Sequence, residues 1–244
     1  MEFAKNPLLV WLRRAYNYAL SHKKEFFIGI LLVITLIFLF IGYGYYKSRI
    51  QRKAHKSFVK ALKYFNMPIR KDEESKELDF NKSFFASEKE KWIKVEKVFA
   101  KGYQDNKRAG IASMFLVYQS EALLNLGKII QAIDILKKAL GIMDKSSVSY
   151  SYYNVKLALM HIDSNEKELK EKGIESLKQI VLDQNSPAHD MVLYRLGEYF
   201  WHEKNFDETR NYWNQLILKY GKTAKKPSWW VELAKPKLKL ISSK

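Results

Sequence analysis

AGIASMFLVYQSEALLNLGKIIQAIDILKKAL, residues Ala109–Leu140, is the stretch that decides how this chain folds. Leu116, Ser120 and Leu123 recur at helical spacing, and so do Ala132, Leu136 and Ala139. Gly127-Lys128 stands between the two runs, where a helix ends and a turn is made. The pattern predicts a helix over 109–126, a turn, and a second helix over 130–140. Their apolar stripes then close on each other. Ala132 is slim, and slim residues belong where two helices approach closest.

The same layout returns downstream. Helical patterns cover 149–162 and 167–182, with Gly173, Leu177 and Ile180 on the packing face. They return over 188–203 and 205–220, with Leu193, Leu196, Gly197, Phe200, Thr209, Trp213 and Leu216. The slim residues Ala132, Gly173 and Thr209 are separated by 41 and 36 residues. No stretch alternates as a strand or closes a hairpin. Repetition of helix pairs at this interval predicts an all-α, stacked solenoid of helical hairpins. Pro227 opens a last short helix with Trp229, Trp230, Leu233 and Leu238 as its apolar face, and Pro236 is expected to limit or kink it.

Upstream, 48–66 continues as helix from the apolar segment before it, with Ala54, Phe58, Ala61, Leu62 and Phe65 in a stripe, stopped by Pro68. Residues 71–83 are charged and nonperiodic, and read as a loop. Ser87 with Glu90 forms a capping box for a helix through Trp92, Val95, Val98 and Phe99 that ends near Gly102.

Phe26–Tyr46 reads FFIGILLVITLIFLFIGYGYY, with no ionisable charge. At ~1.5 Å per residue such a helix crosses ~30 Å of hydrocarbon. Tyr43, Tyr45 and Tyr46 gather at one end, where amphipathic rings favour the lipid boundary. A buried core helix does not need apolar residues on every face at this length. A cleaved signal peptide would end in small residues, which are missing here. Gly42-Tyr43-Gly44 resembles a potassium-channel filter, but that filter needs two spans and this chain offers one. The segment therefore reads as an uncleaved single-span anchor. Before it, 6–22 reads as a short basic amphipathic helix. The expected organisation is a basic segment over 1–24, a transmembrane helix over 25–46 and a helical repeat domain over 47–244.

Lys and Arg number 43 against 26 Asp and Glu, a formal charge of +17. That balance favours anionic surfaces, and the clustering of cations on both sides of the anchor favours lipid head groups. No zinc-finger or single-strand-binding signature accompanies them, so nucleic acid is a poor second. There is no cysteine, which excludes disulfides, thiolate metal sites and cysteine nucleophiles. His22, His55, His161, His189 and His202 fall in no metal-ligand spacing, and no Gly-rich phosphate loop follows a strand. Neither catalysis nor a cofactor is expected. A hydrolase would need titratable groups converging in one pocket.

Leu196-Gly197 with Phe200 and Trp213, and Gly127 with Ala132 and Ala139, resemble degenerate tetratricopeptide repeats. The usual Trp at the repeat start and Pro at its end are missing in most copies. The whole layout also resembles the YfgM-like family of bacterial membrane-anchored tetratricopeptide proteins. The shared features are the basic N-terminal helix, one span, the aromatic exit Tyr43–Tyr46, the Ala- and aromatic-rich Ala54–Leu62 helix, and a terminal helix around Val231–Leu240. The resemblance implies an ancillary, non-catalytic subunit of the secretory translocon in the inner membrane. Its repeats would lie outside that membrane, docking a prolyl-isomerase-like chaperone and helping hand over exported polypeptides. It also implies that the first helix of each pair lines a groove. That places Val117, Glu121, Leu124 and Asn125 there, and likewise Tyr194, Glu198, Trp201 and His202.

Charge bias points the other way. Lys5, Arg13, Arg14, Lys23 and Lys24 precede the span, while Lys47, Arg49, Arg52, Lys53, Lys56, Lys60 and Lys63 follow it. The alternative is a cytoplasm-facing receptor or assembly adaptor of the same architecture.

Overall fold

A computed structural model of the chain describes residues 7–70, 84–222 and 227–242. They form helices α1 (Pro7–Ser21), α2 (Lys23–Phe65), α3 (Glu88–Asp105), α4 (Ala112–Asn125) and α5 (Ile129–Gly141). These are followed by α6 (Val148–Ile162), α7 (Lys167–Leu182), α8 (His189–His202), α9 (Phe206–Tyr220) and α10 (Trp229–Ser242). No strand occurs among the described residues, only an isolated bridge between Ile69 and Phe85. The all-helical expectation therefore holds. The expected 71–83 loop and Asn6 lie outside the described residues.

The chain divides into two compact units, Met1–Lys53 and Ala54–Lys244. In the first, α1 and the early turns of α2 expose Leu8, Trp11, Phe27, Phe38 and Phe40. Among the described residues, α2 is the one helix long and apolar enough to cross a membrane. The sequence reading that 48–66 continues as helix after the apolar segment is met: α2 runs unbroken to Phe65. Lys47 to Lys53 holds neither Gly nor Pro, and a change from apolar to charged side chains does not interrupt a backbone ladder.

In the second unit three apolar clusters follow one another in chain order. The first is built from the end of α2 with α3, α4 and α5, around Val95, Phe99, Phe115, Leu116 and Leu136. Phe58 stands edge-on to Phe99, Phe115 and Tyr118 at 5.7, 5.2 and 5.3 Å, so aromatic rings carry this junction. The second joins α6, α7 and α8 through Val155, Leu177, Val192 and Leu196. The third joins α8, α9 and α10 through Leu193, Trp213, Leu216, Val231 and Ala234. Each helix packs chiefly on its neighbours in sequence.

Short connections make α4–α5, α6–α7 and α8–α9 into pairs, and small residues sit at a contact within each pair. Ser120 Oγ donates to Ala132 O at 2.8 Å between α4 and α5. A Cβ on Gly173 would lie 2.5 Å from Ala158 O across α6–α7. A Cβ on Gly197 would lie 2.3 Å from Trp213 Nε1 across α8–α9. Trp213 fills that gap and donates from Nε1 to Tyr194 O at 3.1 Å. The first and third pairs turn on a residue with positive φ, Gly127 at 72° and Lys204 at 59°. Glycine adopts this conformation freely, whereas lysine pays a steric cost of about 1 kcal/mol.

The expected start of α3 is met, while its end and the last helix depart from expectation. Ser87 caps α3, accepting the Glu90 N–H at 3.2 Å, while Glu90 Oε2 accepts the Ala86 N–H at 3.0 Å. α3 runs past Gly102 to Asp105, because Gly102 is a contact point for the Phe115 ring rather than a terminus. α10 continues through Pro236 to Ser242, with the proline on the exposed side. Trp229, expected on the packing face, is 70% exposed, and Val231 and Ala234 are buried instead.

Gly173→Ala should destabilise the folded chain by about 1–3 kcal/mol, since its methyl meets backbone that cannot yield. Lys204→Gly should stabilise it by about 0.5–1 kcal/mol by relieving the left-handed lysine. Urea unfolding of the full chain in detergent, followed by tryptophan fluorescence, reads both. A Gly173→Ala midpoint equal to the parent's would refute the close-approach account.

Candidate functional site

The residues expected on a groove divide into buried, half-buried and exposed. Val117 and Tyr194 face inward, 5% and 4% exposed, so they serve packing rather than an open surface. Tyr194 stacks on Trp213 at 6.2 Å and meets Trp230 at 5.1 Å. Leu124 is half-buried against the first apolar cluster. Trp201 is also half-buried, tilted against Trp213 at 5.5 Å and edge-on to Phe206 at 6.1 Å. Asn125 and His202 are exposed, and Asn125 Nδ2 donates to Glu121 O at 2.9 Å.

Glu121 and Glu198 reveal a register that neighbouring letters do not show. Each lies six residues before the left-handed turn residue of its pair, Gly127 or Lys204. Each takes a lysine from the next first helix along the chain. Lys156 of α6 donates to Glu121. Lys237 of α10 donates to Glu198 Oε1 and to the Tyr194 hydroxyl, both at 3.0 Å. α10 thus stands to α8 as α6 stands to α4. Arg195 Nη1 adds a 2.7 Å bond to Glu198 Oε2, and the Tyr194 hydroxyl donates to Oε1 at 3.1 Å. Burial pushes the Glu198 carboxyl up, but the hydrogen bonds from Lys237 and Arg195 outweigh it and hold the group below its usual range. Burial pulls Lys237 down, and its bonds to Tyr194 and Glu198 more than compensate.

Between α6 and α8 lies an open groove of about 470 Å³, floored by Leu159 and Ile162. Glu198 and His202 line it, as does Lys170, whose Nζ donates to Glu203 Oε1 at 2.8 Å. An apolar floor between fixed charge pairs suits a peptide backbone or a partner helix, with polar groups setting orientation. Among the described residues no three His, Asp or Glu side chains come together as a metal set. Lys156, Lys170, Arg195 and Lys237 did not stand out from the sequence as site residues. Only the shared Glu-to-turn spacing offered a signal for two of them.

His161 is 3% exposed, and neither ring nitrogen has a hydrogen-bond partner among the described residues. Burial, then the charges of Lys137 and Lys172, push its pKa below 6.5. His189 shifts the same way, by burial and then Lys219, although Tyr220 Oη lies 3.1 Å from its Nδ1.

No family model, curated protein or solved structure matches the chain.

Below pH 6.5 the unfolded chain binds protons that the folded chain refuses at His161 and His189. Stability should therefore fall as pH drops from 6.5 toward the lowered folded values. His161→Leu should flatten this slope while keeping most stability at pH 8, because it removes two unpartnered nitrogens. Melting temperatures at pH 8 and 5.5 test it, and an unchanged slope in the variant would exclude His161 as a source.

Proposed function

We propose that this chain is a non-catalytic, membrane-anchored protein-interaction scaffold. Phe26–Tyr46 is its single span, and α3 to α10 form a tetratricopeptide-like solenoid. The observation that carries the reading is the repeated bridge from Glu121 to Lys156 and from Glu198 to Lys237. It supports an ordered file of first helices α4, α6, α8 and α10. On that file Glu121, Leu124, Asn125, Glu198, Trp201 and His202 mark the partner-binding side, with Val117 and Tyr194 beneath them as support. Paired carboxylates and half-buried aromatics with satisfied polar groups suit recognition of polypeptide.

By the YfgM-like resemblance the partners are translocon subunits, a membrane-anchored prolyl-isomerase-like chaperone and exported polypeptides. The location is the bacterial inner membrane with the repeats periplasmic. Anionic head groups hold Lys47, Arg49, Arg52 and Lys53 beside the span. No cofactor takes part. A second reading, a cytoplasm-facing receptor or adaptor, is favoured by seven cations after the span against five before it.

Protease added to intact spheroplasts tests orientation. Digestion of the repeats from outside supports the translocon reading, and protection until lysis moves the proposal to the cytoplasmic adaptor. A photocrosslinking amino acid placed at Asn125 or His202 should capture a protein partner in cells. The same group at Leu218, which is 89% exposed on α9, should capture far less. Equal capture from all three positions would remove the groove assignment.

A further inference from the structure

A second surface lies at the start of α3, away from the Glu–Lys file. Phe85 is buried there, anchored by the short bridge in which Arg70 N–H donates to Phe85 O at 3.0 Å and Phe85 N–H donates to Pro68 O at 3.1 Å. Phe85 and Ile93 form the apolar part of a shallow concavity of about 580 Å³. Ile93 remains 38% exposed, an aliphatic side chain with open access. Lys89, Lys94 and Lys97 surround it.

Among the described residues that line it, cations outnumber carboxylates three to one. None of these three lysines forms an ion pair among the described residues. Among the described residues Glu90 is the one carboxylate lining the concavity, and it is committed to the helix start through the Ala86 N–H. Lys94 Nζ rests 5.4 Å above the Tyr64 ring, so its ammonium is placed rather than free to wander. Tyr64 follows Lys60 and Lys63 on α2, and 47–70 contains no acidic residue at all. Arg70 adds a further cation over the Phe84 ring at 5.5 Å.

We propose that this concavity docks an acidic polypeptide segment, one that inserts an aliphatic side chain against Phe85 and Ile93 while carboxylates on either side meet Lys89, Lys94 and Lys97. Two features select polypeptide over the other polyanions. A bilayer surface is flat and offers head-group charge but no side chain to fill a hollow. A phosphodiester backbone offers charge without an aliphatic group. An acidic peptide presents an aliphatic side chain beside its carboxylates, whereas the acyl chains of an anionic lipid are held within the bilayer. Charge then sets the rate of encounter and the salt dependence, and the apolar anchor sets residence.

The test uses the full chain in a neutral-head-group detergent. The probe is a fluorescent 12-residue peptide of Glu with one central Leu, read by anisotropy. Binding should weaken with salt. The double change Lys94→Glu and Lys97→Glu should weaken it about tenfold or more. Ile93→Ser should weaken it about fivefold, and so should the peptide's own Leu→Ser. Lys128→Glu, an exposed change on another turn, should leave it unaltered. Circular dichroism confirms that each variant is folded.

No saturable binding up to about 1 mM would overturn the proposal, since that is the weak end of specific recognition. Binding that ignores both Ile93→Ser and the peptide's Leu→Ser would also overturn it. Displacement by anionic phosphatidylglycerol vesicles or an oligothymidylate that proves equally insensitive to Ile93→Ser would assign the lysines to lipid or nucleic acid instead.

Discussion

Everything in the second unit depends on how closely paired helices approach. At Gly173 and Gly197 the facing atoms stand where a Cβ would be. At Ser120 the hydroxyl reaches the Ala132 carbonyl directly. These contacts set the separation of each pair, and the separation sets which side chains can fill the layer between pairs. Trp213 illustrates it. The indole is fully buried because Gly197 leaves room for it, and its N–H finds the Tyr194 carbonyl. A large apolar group with a single polar handle is stable inside only when that handle is satisfied.

Polar residues then link one pair to the next. Glu121 and Glu198 occupy one register and draw lysines from the next first helix. Partly exposed pairs of this kind contribute little to stability individually. Their value here is positional. They fix the rotation of α6 on α4 and of α10 on α8, and so fix which residues remain open. Lys237 illustrates the consequence: it engages both Tyr194 and Glu198, which were expected at a groove, and closes over them. His161 shows the opposite case, a polar ring enclosed beside the Gly173 contact with no hydrogen-bond partner among the described residues. Burial lowers its pKa, which is the expected route from pH to this packing layer.

Much of this was legible in the letters. The periodicity around Gly127, the box Ser87–Glu90 and the slim residues Ala132, Gly173 and Thr209 gave helix pairs whose bounds differ from the observed ones by a few residues. These signals are local: a repeat of 3.6 residues, a cap, a side chain too small to obstruct. The errors were local preferences overruled by context. Gly102 read as a stop because glycine commonly ends helices, yet here it makes way for the Phe115 ring. Trp229 read as core because it is large and apolar, yet Val231 and Ala234 face inward and leave it exposed.

The sequence by itself determined the helical class, the pairing, and a charge-free apolar segment of spanning length, because each follows from spacing along one chain. Only the tertiary structure decided which side chains of each helix are closed off, since burial depends on what packs against them. It alone decided that Val117 and Tyr194 are buried while Asn125 and His202 are open. It alone brought Lys156 to Glu121 and Lys237 to Glu198. Those pairings join residues 35 and 39 positions apart, and no local periodicity records the rotation of one helix on another.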